Sequence, residues 1–261
     1  MIRIAAVGDV HYDSNRRPAF HEQFLQLGTR ADLLFLAGDL TQSGALDEAR
    51  ALATDLKNIP IPVVAVLGNH DFHQNKEKEI ISILKENGVI VLEGETAQFD
   101  IRGQTVGIMG IKGFGGGFYG ACITEFGERE TKAFAHFSKI QADALAKGLR
   151  ELETDFKFGL LHYSPIEATL FGEKKEIYPF LGSYLLAEAL DEARADGAFH
   201  GHAHMGTERG LTPGGVPVRN VAMNVIRHVY NIYSFDRPKL HDVATPSHLS
   251  EVLPRDQLSP A

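Results

Sequence analysis

Three apolar, β-branched runs near the N-terminus all stop at the same kind of place. Ile2–Val7 ends at Gly8-Asp9-Val10-His11, Leu33–Ala37 at Gly38-Asp39, and 61–67 at Gly68-Asn69-His70-Asp71. Each run reads as a strand buried on both faces. Asp9, Asp39 and Asn69 stand at intervals of 30 residues. Helical patterns fill the intervals: Pro18 to about 27, then Ser43 or Gly44 to about 57, then 77–87. In the second, Leu46, Ala49, Leu52, Ala53 and Leu56 recur on one face; in the third, Ile80, Ile81 and Leu84 do so before Gly88 stops the helix. A β-α-β-α-β-α order predicts parallel strands with crossover helices. The three polar residues then sit at the carboxyl ends of neighbouring strands, where open α/β sheets bind ligands. Gly68 is expected to allow a turn that a Cβ would forbid.

The pattern changes after residue 88. Runs 89–92, 96–101 and 105–111 are short strands separated by turn residues, which predicts a meander. Gly113 to Gly120 is a glycine-rich loop, and 131–153 is a long amphipathic helix. Strand 157–161 ends at His162, and Gly197–His200 ends at Gly201-His202-Ala203-His204. Residues 163–183, with two prolines, aromatics and charges, read as a loop or lid. A helix over 185–195 and strands over 216–221 and 229–235 complete the expected elements. One domain over 1–235 and a tail over 236–261, laid on the surface or mobile, are expected.

Composition excludes several classes. A formal charge of -8 argues against broad nucleic-acid binding, which needs a basic surface. One cysteine, Cys122, excludes an internal disulfide and any cysteine-rich zinc cluster. No apolar stretch approaches the ~20 residues that span a bilayer, and the N-terminus lacks a signal-peptide layout. A cytoplasmic protein is expected.

Five strand-like runs therefore end in metal-capable residues: Asp9-x-His11, Gly38-Asp39, Gly68-Asn69-His70-Asp71, His162, and Gly201-His202-Ala203-His204. In extended chain, residues i and i+2 share a face, so Asp9 with His11, and His202 with His204, can reach one ion together. Carboxylate, amide and imidazole donors without thiolate suit Mn, Fe, Zn or Ni rather than a purely structural zinc.

In this order the set resembles the calcineurin-like metallophosphoesterases. That resemblance implies an α/β, four-layer αββα sandwich of two mixed β-sheets flanked by helices. It also implies two divalent metal ions. Asp9, His11, Asp39 and His204 would hold the first, and Asp39, Asn69, His162 and His202 the second, with Asp39 and a hydroxide bridging. Two ions roughly 3.5–4 Å apart activate water and clamp the attacking and leaving oxygens in line. His70 lies outside the resembled ligand set and is assigned as general acid, since imidazole titrates near working pH. Asp71 is expected to orient it.

Departures from the resembled pattern narrow the class. The Ser/Thr protein phosphatases continue G-D with aspartate-arginine-glycine and have N-H-E, whereas here Leu40-Thr41-Gln42-Ser43-Gly44 follows Asp39 and Asp71 follows His70. The form is similar to the cyclic-nucleotide and small-phosphodiester branch, so a phosphodiesterase on small organic phosphodiesters is expected. A phosphomonoesterase of the same fold is the enzyme alternative, and a metal-poor protein-binding scaffold the alternative from another class. A nuclease is disfavoured by the charge balance. Arg16, Arg17, Tyr12, His73 and Tyr163 flank the motifs and are candidate substrate contacts. Segment 163–183 is expected to cap the pocket, and a homo-oligomer contact through it is allowed. Gly115-x-Gly117-x-x-Gly120 spells a dinucleotide fingerprint, but no βαβ unit surrounds it and no nucleotide cofactor is expected. His200 is expected to be buried in its strand.

Overall fold

The computed structural model describes residues 1–13 and 20–236. Arg16, Arg17, Pro18 and residues 237–261 of the expected tail lie outside the described residues. The strands are β1 (Ile2–Val7), β2 (Leu33–Ala37), β3 (Val63–Val66), β4 (Val89–Val91), β5 (Glu95–Ile101), β6 (Gln104–Ile111), β7 (Gly117–Phe118), β8 (Ala121–Cys122), β9 (Phe156–Leu161), β10 (Gly197–His200), β11 (Arg209–Leu211), β12 (Pro217–Asn220) and β13 (Asn231–Phe235). The α-helices are α1 (Phe20–Leu25), α2 (Leu46–Leu56), α3 (Glu77–Glu86), α4 (Arg129–Glu151), α5 (Tyr178–Leu181), α6 (Tyr184–Glu192) and α7 (Met223–Ile226).

The first sheet has the order β13-β1-β2-β3-β4 and the second β11-β12-β10-β9-β6-β5. Strands β1 to β4 are parallel, and β13 joins β1 antiparallel at the edge. In the second sheet β12, β10, β9 and β6 are parallel, with antiparallel β11 and β5 outermost.

Alternation within each strand builds the layers. Ile4, Ala6, Leu33, Phe35, Val64 and Val66 face one shared core with Val106, Ile108, Phe156, Phe158, Leu160 and Phe199 of the other sheet. Their sequence neighbours Ala5, Val7, Leu34, Leu36, Val63 and Ala65 face outward onto Phe20 and Phe24 of α1, Ala49 and Leu52 of α2, and Ile80 and Leu84 of α3. On the other side Met109, Ile111, Leu161 and Ala198 meet Leu145 and Leu149 of α4 and Leu186 and Leu190 of α6. The result is helices, sheet, sheet, helices, the expected αββα order. Each fully buried Leu, Val or Phe side chain contributes about 1.5–3 kcal/mol, so strands buried on both faces fix register strongly.

Two expectations are corrected. The three short strands do not form a meander: helix α3 returns the chain so that β4 lies parallel to β3, and the turn at Glu93-Gly94 then passes it to the second sheet as β5. Segment 163–183 is not a plain loop. It holds 3-10 turns at Glu167–Leu170 and Lys175–Ile177 and helix α5, with Ile166, Leu170, Tyr178 and Leu181 buried. Helix α2 starts later than its first polar residues suggest, because Glu48 folds back to accept the Ser43 N–H at 2.8 Å and the Ser43 hydroxyl at 2.9 Å. No helix among the described residues is long and apolar enough to cross a membrane.

Candidate metal centre

The carboxyl ends of both sheets open at one edge. Parallel neighbours β1, β2 and β3 bring Asp9, Asp39 and Asn69 side by side. Strands β9 and β10 bring His162, His202 and His204 to the same edge, where the Gly201 N–H donates to the His162 carbonyl at 3.2 Å. The turns there are strained. Asp9, His11, Asp39 and His202 have φ of 56°, 42°, 48° and 68°, a region that costs a non-glycine residue about 1–3 kcal/mol. Cross-motif bonds hold them: Asp9 N–H to the Gly38 carbonyl at 2.9 Å, and His11 N–H to the Asp39 carbonyl at 3.0 Å.

Gly68 acts differently from expectation. Its φ lies outside the left-handed region, and its missing Cβ leaves the space that the Asp39 carboxylate and backbone nitrogen occupy. Gly201 leaves the corresponding space for the Asp9 carboxylate. The glycine of one motif is thus the seat for a ligand from another.

Among the described residues, the donor atoms fall in two groups that share Asp39. Asp9, His11, Asp39 and His204 offer atoms within 4.8 Å of one another, and so do Asp39, His162 and His202. His11 Nε2 is 3.8 Å from Asp39 Oδ2 and 3.5 Å from His204 Nε2. His162 Nε2 is 3.4 Å from Asp39 Oδ1 and 2.9 Å from Asn69 Oδ1, which adds Asn69 to the second group.

Hydrogen bonds at the far side of each ring select the ligand atom. His162 Nδ1–H donates to the Ala37 carbonyl at 3.0 Å, leaving the Nε2 lone pair toward Asn69 and Asp39. His202 Nε2–H donates to the Phe180 carbonyl at 3.1 Å, leaving Nδ1. Burial lowers His11 to about 4 and His202 to about 3, and holds His162 well below the usual imidazole range. These rings are neutral at neutral pH, as ligation requires. Burial raises Asp9 to about 6, opposed by its bond from His204, whose own pKa that bond raises.

The donor set fits divalent cations. Asp9 and Asp39 are 2% and 1% exposed, and their ion-pair partners among the described residues are all histidines. The neutral His162 ring and the Asn69 carbonyl oxygen aim lone pairs at each other across 2.9 Å. A cation placed between such groups relieves both the buried charge and the lone-pair opposition.

His70 is half-buried at the rim. Its Nε2 is 3.9 Å from Asp39 Oδ2, and its ring stands 4.5 Å from that of His11. The expectation that Asp71 orients it is corrected. His70 Nδ1–H donates to the Gln42 carbonyl at 2.7 Å. Asp71 is fully buried and accepts the N–H groups of Leu40 (3.1 Å), Thr41 (2.8 Å) and Gly68 (2.8 Å) and the Thr41 hydroxyl (2.6 Å). It fastens the Asp39 loop to the Asn69 loop, since four donors on two loops converge where only a carboxylate can accept them all.

Tyr12 is corrected as a substrate contact: its ring is fully buried in the core beside Phe20 and its hydroxyl donates to Asp55. His73 is exposed, and its ring lies 4.5 Å from that of His70, tilted by 33°. Tyr163 packs against His202 at 4.4 Å, and burial pushes its phenol up to about 12. His200 is fully buried, 2.9 Å from the Thr169 hydroxyl. Sequence reasoning misses the Gln42 and Phe180 carbonyls, which carry no side-chain signal.

Comparison with known proteins adds to this geometry. The family model described as "Calcineurin-like phosphoesterase" matches residues 2–206. The uncharacterized protein YpbG of Bacillus subtilis (strain 168) is 34% identical over 82 residues, a match spanning 30% of this chain and 30% of that protein. TT1561 of Thermus thermophilus superposes with a TM-score of 0.52 at 19% identity, covering 84% of this chain and 88% of that one. The sulfate thiohydrolase SoxB of Thermus thermophilus superposes with a TM-score of 0.51 at 10% identity, covering 85% of this chain and 51% of that one. The two structures are similar to this chain in fold.

Proposed function

Since the chain belongs to the calcineurin-like phosphoesterase family, we propose that it is a two-metal phosphohydrolase acting on small organic phosphodiesters. The observation that carries the reading is the sharing of Asp39 between the two donor groups. Asp9, His11, Asp39 and His204 would hold one ion, and Asp39, Asn69, His162 and His202 the other. Bound there, two divalent ions supply charge neutralisation at the phosphoryl oxygens and a water acidic enough to attack at neutral pH.

The chain's own residues do the rest. The Gln42 carbonyl holds His70 by Nδ1–H, so Nε2 faces the centre and is placed to hand a proton to the departing alkoxide. The His73 ring lies 4.5 Å from that ring, tilted by 33°. Tyr163 and the Phe180 carbonyl fix His202. Phe180, whose carbonyl holds His202, exposes its side chain and would offer an apolar surface to the organic part of a diester.

Preference for a diester is tested by turnover of an aryl phosphodiester against an aryl phosphomonoester with added Mn²⁺. Faster turnover of the monoester would replace the diester reading with the phosphomonoesterase one. Purified protein that retains no divalent ion would favour the scaffold.

A further inference from the structure

The geometry points to Lys112 as the cation that receives the substrate's phosphoryl anion, an assignment that rests on the phosphohydrolase reading above. Lys112 follows β6, and its carbonyl accepts the N–H groups of His162 and Tyr163, each at 3.0 Å. Its backbone is therefore tied to the strand end that presents a metal ligand. Its ammonium sits among four aromatic rings: Phe72 at 4.9 Å, Phe114 at 5.2 Å, Tyr163 at 5.3 Å and Phe137 at 5.9 Å. Two of these belong to the centre, since Phe72 closes the 3-10 turn that starts at His70 and Tyr163 packs on His202.

The rings hold the cation but satisfy none of its donors. An ammonium carries three N–H groups, and no hydrogen bond or ion pair to this one is found among the described residues. Lys112 is half-buried, so its donors are left to solvent until an anion arrives. Cation–π contact attracts the ammonium but offers it no acceptor. An anion reaching the second donor group would offer acceptors in place of solvent, and a charge-assisted hydrogen bond is stronger than a neutral one. The field of Lys112 already reaches this group. Glu93 and Asp39 are the carboxylates near enough to act on its charge. Glu93 already accepts the Leu67 N–H at 2.9 Å and metal ions would engage Asp39, so a phosphoryl oxygen would be the new acceptor offered to Lys112.

Calorimetric titration of inorganic phosphate into Mn²⁺-loaded protein tests the assignment, with Lys112→Met beside the wild type and metal content measured in both. Wild-type protein is expected to bind phosphate. Lys112→Met is expected to bind it about tenfold to a hundredfold more weakly at unchanged metal content, with KM for an aryl phosphodiester rising more than kcat falls. Equal phosphate affinity in the two proteins overturns the assignment and leaves the hydrolase reading standing. Absence of phosphate binding by the wild type overturns both. If the Met variant does not fold, Lys112→Gln, which keeps a donor and removes the charge, serves as the same test.

Discussion

The carboxylate of Asp9 receives the backbone N–H of His202 with both oxygens, each at 3.0 Å. One sheet's first ligand thereby positions the other sheet's loop, and the Asp9 side chain fits only because Gly201 has no Cβ. Ligand and scaffold are the same atoms here, so substitutions should act on metal binding in groups rather than singly.

Asp39 belongs to both donor groups and Asp9 to one. Asp39→Asn should therefore lose both ions and Asp9→Asn one, by elemental analysis of protein dialysed against dilute Mn²⁺. Activity should fall at least about a hundredfold in each, as expected when a metal's anchoring group is weakened. Equal residual metal in the two variants would contradict the shared-ligand geometry.

The His70 backbone N–H donates to Asp39 Oδ1 at 2.8 Å, while its ring Nε2 stays 3.9 Å from Asp39 Oδ2 and is placed for proton transfer rather than ligation. His70→Ala should keep wild-type metal content. It should lose about 10²–10⁴-fold in kcat on alkyl phosphodiesters, the usual worth of general acid catalysis, and far less on activated aryl esters. Equal losses on the two substrate types would remove the acid role.

Asp71→Asn keeps shape but places an amide NH₂ against backbone N–H donors. Oδ1 faces the Thr41 N–H and hydroxyl, and Oδ2 faces the N–H groups of Leu40 and Gly68. Either orientation of the amide leaves at least one buried donor opposed. The metal-free variant should lose roughly 3 kcal/mol in urea unfolding. A loss below about 1 kcal/mol would show that this tie is dispensable.

Asp32 joins three segments at the edge remote from the metal ligands. It accepts Arg3 N–H at 2.8 Å and pairs with the guanidinium groups of Arg3 (3.0 Å) and Arg102 (2.6 Å). Burial alone would raise its pKa, but these bonds outweigh burial and hold it below the usual carboxylate value. A lowered folded pKa means a contribution fully present above the unfolded value of about 3.9 and lost as pH falls through the folded one. Asp32→Asn should therefore cost about 1 kcal/mol at neutral pH, after discounting for solvent. The gap between the two unfolding curves should close in strong acid, and a gap independent of pH would exclude the electrostatic origin.

Strand ends and candidate ligands are legible in the sequence because burial on both faces demands unbroken apolar runs, so the first polar residue after each run stands out. Asp9, Asp39 and His162 are found that way. The role of Asp71 is not, because adjacency to His70 in the chain suggests a contact that the 3-10 turn at His70–Phe72 points elsewhere. Tyr12 misleads for a similar reason, since one residue past His11 the chain already runs beside Thr41 and turns its ring into the core. Pairing of β4 is hidden because a three-residue strand carries no mark of its partner, and only the length of α3 decides it.

Strand β1, which carries Asp9 and His11 at its end, gains its outer partner only from β13, with Ile2 opposite Phe235. During synthesis that neighbour emerges last among the described elements, so the N-terminal motif must wait for nearly the whole chain before its edge is covered. Such distant pairing is slow to form. Folding intermediates that lack it would leave the β1 edge open to pairing with another nascent chain. Divalent ions, by drawing Asp9 toward His204 from across the two sheets, would favour the closed order over that misassembly.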